Sequence, residues 1–182
     1  VARLGETARF RAHVAAVDAA LAAGAPPPVV GTLEEWPEYR LIVASNAVVA
    51  AIDDEAGALF RYIADAYAAK FPELETMVPA PLDYVRTVAL IGNETDMTLV
   101  DLGSLLPPAT VMMVSVTGST TAGKPLSPAA LADVRAAVDA LLRLDAARGR
   151  ILAFIESRMA TVAPNTSAVV GTRVAALLVA LA

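Results

Sequence analysis

The segment Gly118–Lys124, which reads Gly-Ser-Thr-Thr-Ala-Gly-Lys, has the residue types of a loop that binds phosphate. It fits the first seven positions of the motif G-x-x-x-x-G-K-[ST], in which backbone N–H groups and the lysine hold the phosphates of a nucleotide. The apolar run Val111–Val116 precedes it and has the composition of a strand, as the motif requires. These residues raise the question of whether the protein binds nucleotides.

The remaining requirements of a nucleotide site are not met. Pro125 stands where a serine or threonine would bind Mg²⁺, and proline also lacks an amide N–H. The next helix is predicted to begin at Ser127, two residues too late for its first amides to face the phosphates. No convincing strand that ends in Asp or Glu follows. We therefore interpret the segment as a loop between two elements and keep nucleotide binding as a remote alternative.

Four arginines form a second group that could do chemistry, since they recur at intervals of seven or eight residues on one predicted helix. At 100° per residue they fall within a wedge of about 140°. They could contact phosphates or a partner, or they could form a solvated, ion-paired face of the helix. The residues are Arg135, Arg143, Arg150 and Arg158.

The composition of the 182 residues excludes several classes of site. Hydrophobic residues make up 57% and aromatic residues only 5%, which suits closely packed helices better than a sheet. Cysteine is absent and His13 is the single histidine, so thiolate sites and His clusters are excluded. The net charge of −5 argues against a basic surface that wraps nucleic acid, although a local patch could still join a ribonucleoprotein. We predict neither a cofactor, nor a metal site, nor enzymatic activity.

Two long helices dominate the predicted structure. The first runs from Pro37 to about Lys70 and carries a seam with alternating spacings of three and four: Leu41, Ser45, Val48, Ile52, Glu55, Leu59, Tyr62 and Ala66. The second begins at Ser127 and Pro128 and runs to about Val162, with a seam at Leu131, Val134, Val138, Leu141, Asp145, Arg148, Leu152, Ile155, Met159 and Val162. Asp145 and Arg148 can pair with each other or across to the partner helix. The natural solution is an antiparallel coiled-coil hairpin.

The elements around the hairpin are shorter. A helix over Glu6–Ala23 and a Pro-rich linker over Gly24–Gly31 precede it. Between the long helices, a short helix is predicted from Leu82 to Ile91, stopped by Gly92, and Asp96–Leu106 is ambiguous. The strand-like run around Val111–Val116 has no partner strand, so a buried helix is the better prediction for it.

Pro164 ends the second long helix, and a new helix then runs to Ala182. Its apolar part, Ala168–Ala182, is about 15 residues long and contains Arg173, whereas a membrane-spanning helix needs roughly 20 apolar residues. It is predicted to be a core helix. Trp36 and Tyr39, just before and within the start of the first long helix, are predicted to pack in the core.

Four blocks of the sequence resemble the pre-mRNA-processing factor 31 family, the U4/U6 small nuclear ribonucleoprotein components within the Nop superfamily. They occur in the family's order and cover most of Pro37–Ala182. The blocks are PEYRLIVASN (Pro37–Asn46), KFPELETMVPAPLDYVRTVALIGN (Lys70–Asn93), ATVMMVSVTGSTTAG (Ala109–Gly123) and ESRMATVAPNTSAVVG (Glu156–Gly171). The core proteins of box C/D small nucleolar ribonucleoproteins belong to the same superfamily and are similar to this chain in fewer blocks. They remain the alternative.

The resemblance implies an all-α fold, in which a long antiparallel coiled-coil hairpin with a helical tip leads into an α-helical Nop domain. It implies a nuclear scaffold that binds the 5′ stem-loop of U4 RNA, or U4atac RNA, jointly with a small kink-turn-binding protein and contacts other proteins of the U4/U6.U5 tri-snRNP. No membrane role is implied. The family's RNA-contacting residues lie mainly beyond Ala182. In such a protein the four arginines are candidate contacts to RNA or to a partner. A further alternative for the chain is a helical protein–protein interaction module that has no RNA role.

The resemblance also suggests a division of the chain. An N-terminal helix and linker take up 1–36, the coiled-coil hairpin with its tip takes up 37–162, and the Nop domain, truncated here, begins within 163–182. Ala163, Pro164 and Asn165 are expected to form the structural joint between the hairpin and the Nop domain. The chain departs from the family in its near absence of lysine, with only Lys70 and Lys124. The segments 1–36 and 94–108 resemble nothing specific.

Overall fold

The computed structural model describes residues 3–24, 32 and 35–181. In this part of the chain the elements are α-helices and 3₁₀ turns, and no strand occurs. The all-α class predicted from the composition is thereby confirmed. In chain order the α-helices are α1 (Ala8–Ala22), α2 (Pro37–Tyr67), α3 (Leu74–Met77), α4 (Pro81–Ile91), α5 (Pro108–Thr120), α6 (Pro128–Val162), α7 (Pro164–Val170) and α8 (Thr172–Leu181).

The chain divides into two compact units. Unit 1 comprises Val1–Glu55 and Arg143–Ala182, and unit 2 comprises Ala56–Leu142. The long helices α2 and α6 each contribute residues to both units. The boundaries proposed from the sequence, at 36/37 and 162/163, divide the chain in a different way and stay a prediction.

In unit 1 the first part of α2 and the second part of α6 run antiparallel. Glu38 pairs with Arg158, and Asp53, further along α2, pairs with Arg148, which lies earlier on α6. This order of partners is the one that an antiparallel hairpin requires. Arg148 was predicted to pair either with Asp145 or across to the partner helix. The structure shows the second pairing, because Nε of Arg148 lies 2.7 Å from Oδ1 of Asp53 on α2.

The α6 helix buries a second stripe in addition to the predicted seam. It lies one residue before the predicted seam and faces the N-terminal segment: Leu144 approaches Gly5, and Arg158 donates to the carbonyl of Ala20. The seam positions Asp145, Arg148 and Leu152 are only half-buried. The buried stripe comprises Leu144, Ala147, Ile151, Phe154 and Arg158. Because α1 also packs in this unit, α6 needs a wider apolar face than a two-helix seam provides.

In unit 2 the seam of α2 shifts by one residue. Tyr62 was predicted to lie in the seam but is 47% exposed, whereas Ile63 and Tyr67 are fully buried. A straight α-helix drifts by about 20° per heptad relative to a strict seven-residue repeat, which moves the buried face onto the next residue. The seam predicted at Tyr62 and Ala66 is therefore wrong at this end of the helix.

The segment between the long helices contains the elements that sequence propensity left uncertain. The strand-like run forms α5 as predicted, but it is buried on one face only: Val114 is buried, whereas Met112 and Val116 are exposed. The ambiguous stretch Asp96–Leu106 folds as short 3₁₀ turns over Met97–Leu99 and Leu102–Ser104. The Asp96 carboxylate caps the first turn by accepting a bond from the N–H of Thr98.

The remaining boundaries are close to those predicted. The first helix begins at Ala8, since Thr7 is the N-cap and its hydroxyl accepts a bond from the N–H of Phe10. Trp36 is buried, as expected, whereas Tyr39 is only half-buried. Of the predicted linker, residues 25–31 lie outside the described residues.

The C-terminal segment differs from the prediction. The single helix predicted after Pro164 is broken at Gly171, where a φ of +83° lies in the region that favours glycine. Two helices, α7 and α8, result. No helix in the described ranges is long and apolar enough to cross a membrane.

Candidate functional site

The segment that resembles a phosphate loop belongs to unit 2 and has the wrong geometry for a nucleotide. Gly118 lies inside α5 rather than in a loop, and α6 begins only at Pro128. The N–H of Lys124 donates to the carbonyl of Ala69 and that of Gly123 to the hydroxyl of Thr121. These amides are therefore engaged within the protein and do not form the cradle of free N–H groups that a phosphate needs.

The two glycines of the motif have packing roles instead. A Cβ on Gly118 would lie 2.7 Å from Cγ of Met97, and a Cβ on Gly123 would collide with the carbonyl of Lys70. Glycine is needed at both positions because another part of unit 2 approaches the backbone closely. Close packing thus accounts for the two glycines of the match.

Residues 121–127, which we call the Gly123 loop, are held on the rest of unit 2 by side chains. The side-chain amide of Asn93 forms two bonds to the backbone of Leu126. Its Nδ2 donates to the carbonyl of Leu126 at 2.8 Å, and its Oδ1 accepts from the N–H of Leu126 at 2.9 Å. The hydroxyl of Thr121 donates to the carboxylate of Glu73. Lys70 is buried and donates from Nζ to the carbonyl of Glu94 at 2.7 Å, and its burial lowers the pKa of the amine.

Arg158 is the most deeply enclosed of the four candidate arginines, with 2% of its surface exposed. Its Nε and Nη2 donate to the two carboxylate oxygens of Glu38, at 2.7 and 3.1 Å. The other bonds of the guanidinium go to the carbonyls of Ala20 and Gly24 and to the hydroxyl of Ser157. A guanidinium has five N–H donors, and here each of them is used within unit 1.

The other three arginines have different surroundings. Arg150 is exposed and forms an ion pair with Asp18 at 3.1 Å. Arg143 is exposed on α6 in unit 1, and Arg135 is exposed on α6 in unit 2. Nη2 of Arg135 lies 3.2 Å from the position that a Cβ on Gly92 would take. Within unit 1, therefore, Arg158 is enclosed whereas Arg143 and Arg150 are exposed.

The joint predicted at Ala163, Pro164 and Asn165 coincides with a change of helix. The α6 helix ends at Val162, Ala163 takes a non-helical backbone (φ −137°, ψ 63°), and Pro164 begins α7. The N–H of Ala163 still donates to the carbonyl of Met159 at 2.9 Å, and the hydroxyl of Ser167 donates to the same carbonyl. The turn is therefore tied to the last turn of α6.

The residues that complete these networks have no recognisable signal in the sequence. Glu38, Lys70 and Asn93 were not singled out, and no local pattern distinguishes them, because their partners are far away along the chain. Among the residues that the structure describes, no group of Asp, Glu and His side chains could hold a metal ion.

Comparison with known proteins agrees with this architecture. The profile of the Nop family, described as "snoRNA binding domain, fibrillarin", matches residues 48–182. The U4/U6 small nuclear ribonucleoprotein Prp31 homolog of Arabidopsis thaliana is 44% identical over all of this chain and 38% of its own length. The Prp31 protein of Homo sapiens is 42% identical over 85% of this chain and 31% of its own length.

Nucleolar proteins are more distant relatives. Nucleolar protein 58 of Neurospora crassa is 26% identical over 77% of this chain and 24% of its own length. The chain spans 38% of the length of the Arabidopsis relative and 31% of that of the human one. The family match and these identities establish that the chain belongs to the Nop superfamily, in its Prp31 family.

Proposed function

We propose that the chain is part of a nuclear, non-enzymatic scaffold of the U4/U6 small nuclear ribonucleoprotein that acts in pre-mRNA splicing. One observation carries the proposal: the proteins named as U4/U6 Prp31 are 41–44% identical to this chain over 85% or more of it. The nucleolar relatives reach only 26–28% over 77%. A chain that served the nucleolar particle would be expected to show the opposite order.

The finer proposal is that the protein binds the 5′ stem-loop of U4 RNA, or of U4atac RNA, jointly with a kink-turn-binding protein and helps to assemble the U4/U6.U5 tri-snRNP. The packed helical framework is compatible with a scaffold, and in unit 1 the bonds of Arg158 tie α6 to α1 and α2. In this proposal the part that joins hairpin and Nop domain is Ala163–Asn165.

The arrangement of the arginines narrows their proposed roles. Arg158 has no donor left for a phosphate, and Arg150 shares its charge with Asp18. Arg143 is exposed and makes no hydrogen bond or ion pair with the described residues. We therefore assign the phosphate contact of this chain to Arg143 first and to Arg150 second, each supplying a point of positive charge rather than base readout.

Reconstitution of the complex tests the finer proposal. The protein, the kink-turn-binding protein and a labelled U4 5′ stem-loop are combined in all pairs and together, and the complexes are separated on a native gel. We expect this protein to join the RNA only when the kink-turn-binding protein is present. Equal binding without that protein would contradict joint recognition.

The box C/D particle is the second candidate, favoured by the Nop profile's description as a snoRNA binding domain. In the same assay a box C/D RNA replaces the U4 stem-loop. Tighter binding of the box C/D RNA, by about tenfold or more, would favour the nucleolar function. The remote alternative is a nucleotide-binding loop, against which the geometry of the Gly123 loop argues. Nucleotide binding that is lost in Lys124→Ala would support this alternative.

A further inference from the structure

A cleft of about 600 Å³ opens on the surface of unit 2, and the function proposed above does not use it. Its walls come from the end of α4, the 3₁₀ turns that follow, and the first part of α6. Apolar and charged side chains share these walls: Leu90, Leu99, Val100, Glu94, Asp101 and Arg135.

The apolar side chains of the cleft are unusually open to solvent. Leu99 is 73% exposed and Leu90 is 46% exposed. Single exposed leucines are common, but neighbouring ones that line a concave surface between charged residues are typical of a surface that binds a partner. Burial of a leucine side chain would contribute to binding in proportion to the apolar area removed from water.

The charges around the cleft favour a positively charged ligand. Unit 2 contains five Lys and Arg residues and nine Asp and Glu residues, a formal charge of −4. Glu94 and Asp101 lie on the cleft itself. The carboxylate of Glu94 accepts bonds from the N–H groups of Thr95 and Asp96, at 2.8 and 3.0 Å, and these bonds lower its pKa and keep it ionised. An RNA phosphate would be repelled by both carboxylates.

Arg135 does not reverse the excess of negative charge around the cleft. Its guanidinium lies against Gly92 at the C-terminal end of α4, where the helix dipole places partial negative charge. The arginine therefore has a negative neighbour within unit 2, and on the walls of the cleft it faces the two carboxylates of Glu94 and Asp101. Of the two roles predicted for Arg135, contact with RNA or with a partner protein, the cleft favours the second.

We infer that this cleft binds a segment of another protein that carries a large apolar side chain next to lysine or arginine. The apolar side chain would cover Leu90 and Leu99, and the basic side chains would pair with Glu94 and Asp101. Such an amphipathic basic segment matches walls that are partly apolar and partly acidic, and it matches the net negative charge of unit 2. The inference does not depend on which RNA the particle contains.

Photocrosslinking tests the inference in the intact particle. Leu99 is replaced by p-benzoylphenylalanine in the affinity-tagged protein, the particle is irradiated in nuclear extract, and the crosslinked peptides are identified by mass spectrometry. The same probe at Ala132, exposed on α6 outside the cleft, is the control. We expect position 99 to yield one protein segment with Lys or Arg within four residues of a large apolar residue, absent from the control.

Charge reversal then tests the electrostatic part. Asp101→Lys, and the milder Asp101→Asn if the first variant folds poorly, should lower the yield of that crosslink at least about threefold, the size expected for an exposed charge pair. Asp133→Lys, an exposed acid on α6 outside the cleft, should leave the yield unchanged. The inference is overturned by crosslinks to RNA, by a crosslinked segment without a basic residue, by a pattern identical to the Ala132 control, by an absence of crosslinks, or by equal effects of the Asp101 and Asp133 variants.

Discussion

Arg158 and Glu38 form a two-pronged ion pair inside unit 1, although 120 positions separate them in the chain. The guanidinium also binds the carbonyls of Ala20 and Gly24, and it lies 5.2 Å from the ring centre of Phe154. One side chain of α6 thus connects the start of α2 with the end of α1. A charge that is this deeply buried is tolerated because every donor has a partner.

Removal of this arginine should destabilise the protein strongly. For Arg158→Ala we expect a loss of about 3–5 kcal/mol in the free energy of unfolding, because Glu38 is left as a poorly solvated charge without its partner. Urea denaturation followed by circular dichroism measures the loss. Arg158→Lys should restore little of it, since an ammonium cannot bond both carboxylate oxygens and the two carbonyls in this geometry.

The matched control is Arg150→Ala on the same helix, where the ion pair with Asp18 is exposed. Its cost should stay below about 1 kcal/mol. Equal, small effects of the two alanine variants would show that the network around Arg158 does not hold unit 1 together.

Gly123 should not tolerate a side chain. In Gly123→Ala the new methyl group would collide with the backbone carbonyl of Lys70, so the Gly123 loop must move away from the end of α2. We expect a loss of about 1–3 kcal/mol in unfolding free energy. Gly57→Ala is the control in the same unit, because its new methyl group meets nothing within 4 Å. It should raise the stability by about 0.5–1 kcal/mol. The packing explanation for the motif fails if Gly123→Ala behaves like Gly57→Ala.

A proline at position 163 should disrupt the joint between α6 and α7. Ala163→Pro removes the N–H that bonds the carbonyl of Met159, and proline cannot adopt the φ of −137° found there. A loss of about 3 kcal/mol is expected. Ala163→Ser keeps the N–H and the backbone freedom and should cost less than about 1 kcal/mol. An unchanged melting temperature of Ala163→Pro would count against a structural joint.

His13 should make the stability of unit 1 depend on pH. Its Nε2 lies 3.0 Å from the hydroxyl of the fully buried Ser45, and burial, followed by the charge of Arg9, lowers the pKa of the imidazole. The unfolded chain therefore binds the proton more tightly than the folded chain. The stability that depends on neutral His13 is complete above the ordinary pKa of about 6.5 and is lost as the pH falls below it.

Urea midpoints at pH 7.5 and pH 5.5 measure this dependence. The urea midpoint should be lower at pH 5.5 than at pH 7.5. In His13→Gln this difference should be smaller, since glutamine keeps a hydrogen-bonding group but does not titrate. The same fall in both proteins would assign the pH dependence to other groups.

Local sequence patterns were sufficient for the long helices and most helix ends, but they missed α3 and the break between α7 and α8. Pro128, Pro164 and Gly92 mark helix ends in the structure as they do in the sequence. The run that became α5 has strand propensity, and the absence of a partner strand was the better guide to its conformation. Its exposed face, with Met112 and Val116, could not be predicted because the burial of each face depends on the neighbouring elements.

The candidate functional residues were likewise predictable only where a local pattern exists. Spacing on α6 selected Arg158 together with Arg143, since periodicity reports a shared face but not burial. The position of α1 decides the outcome, because its carbonyl at Ala20 and the carboxylate of Glu38 enclose Arg158. Contacts between residues more than 100 positions apart have no local signal in the sequence. The cleft at Leu90 and Leu99 has no such signal either, because it depends on how α4, the 3₁₀ turns and α6 pack together.

The measurement that tests the central claim most directly is the identification of the RNA that copurifies with the protein from its own nuclear extract. The protein is tagged, the particle is isolated under native conditions, and the bound RNA is sequenced. A splicing scaffold of the Prp31 family is predicted to recover U4 and U6 RNA together with a kink-turn-binding protein. Recovery of box C/D RNAs, or of no RNA above the untagged control, would contradict the claim.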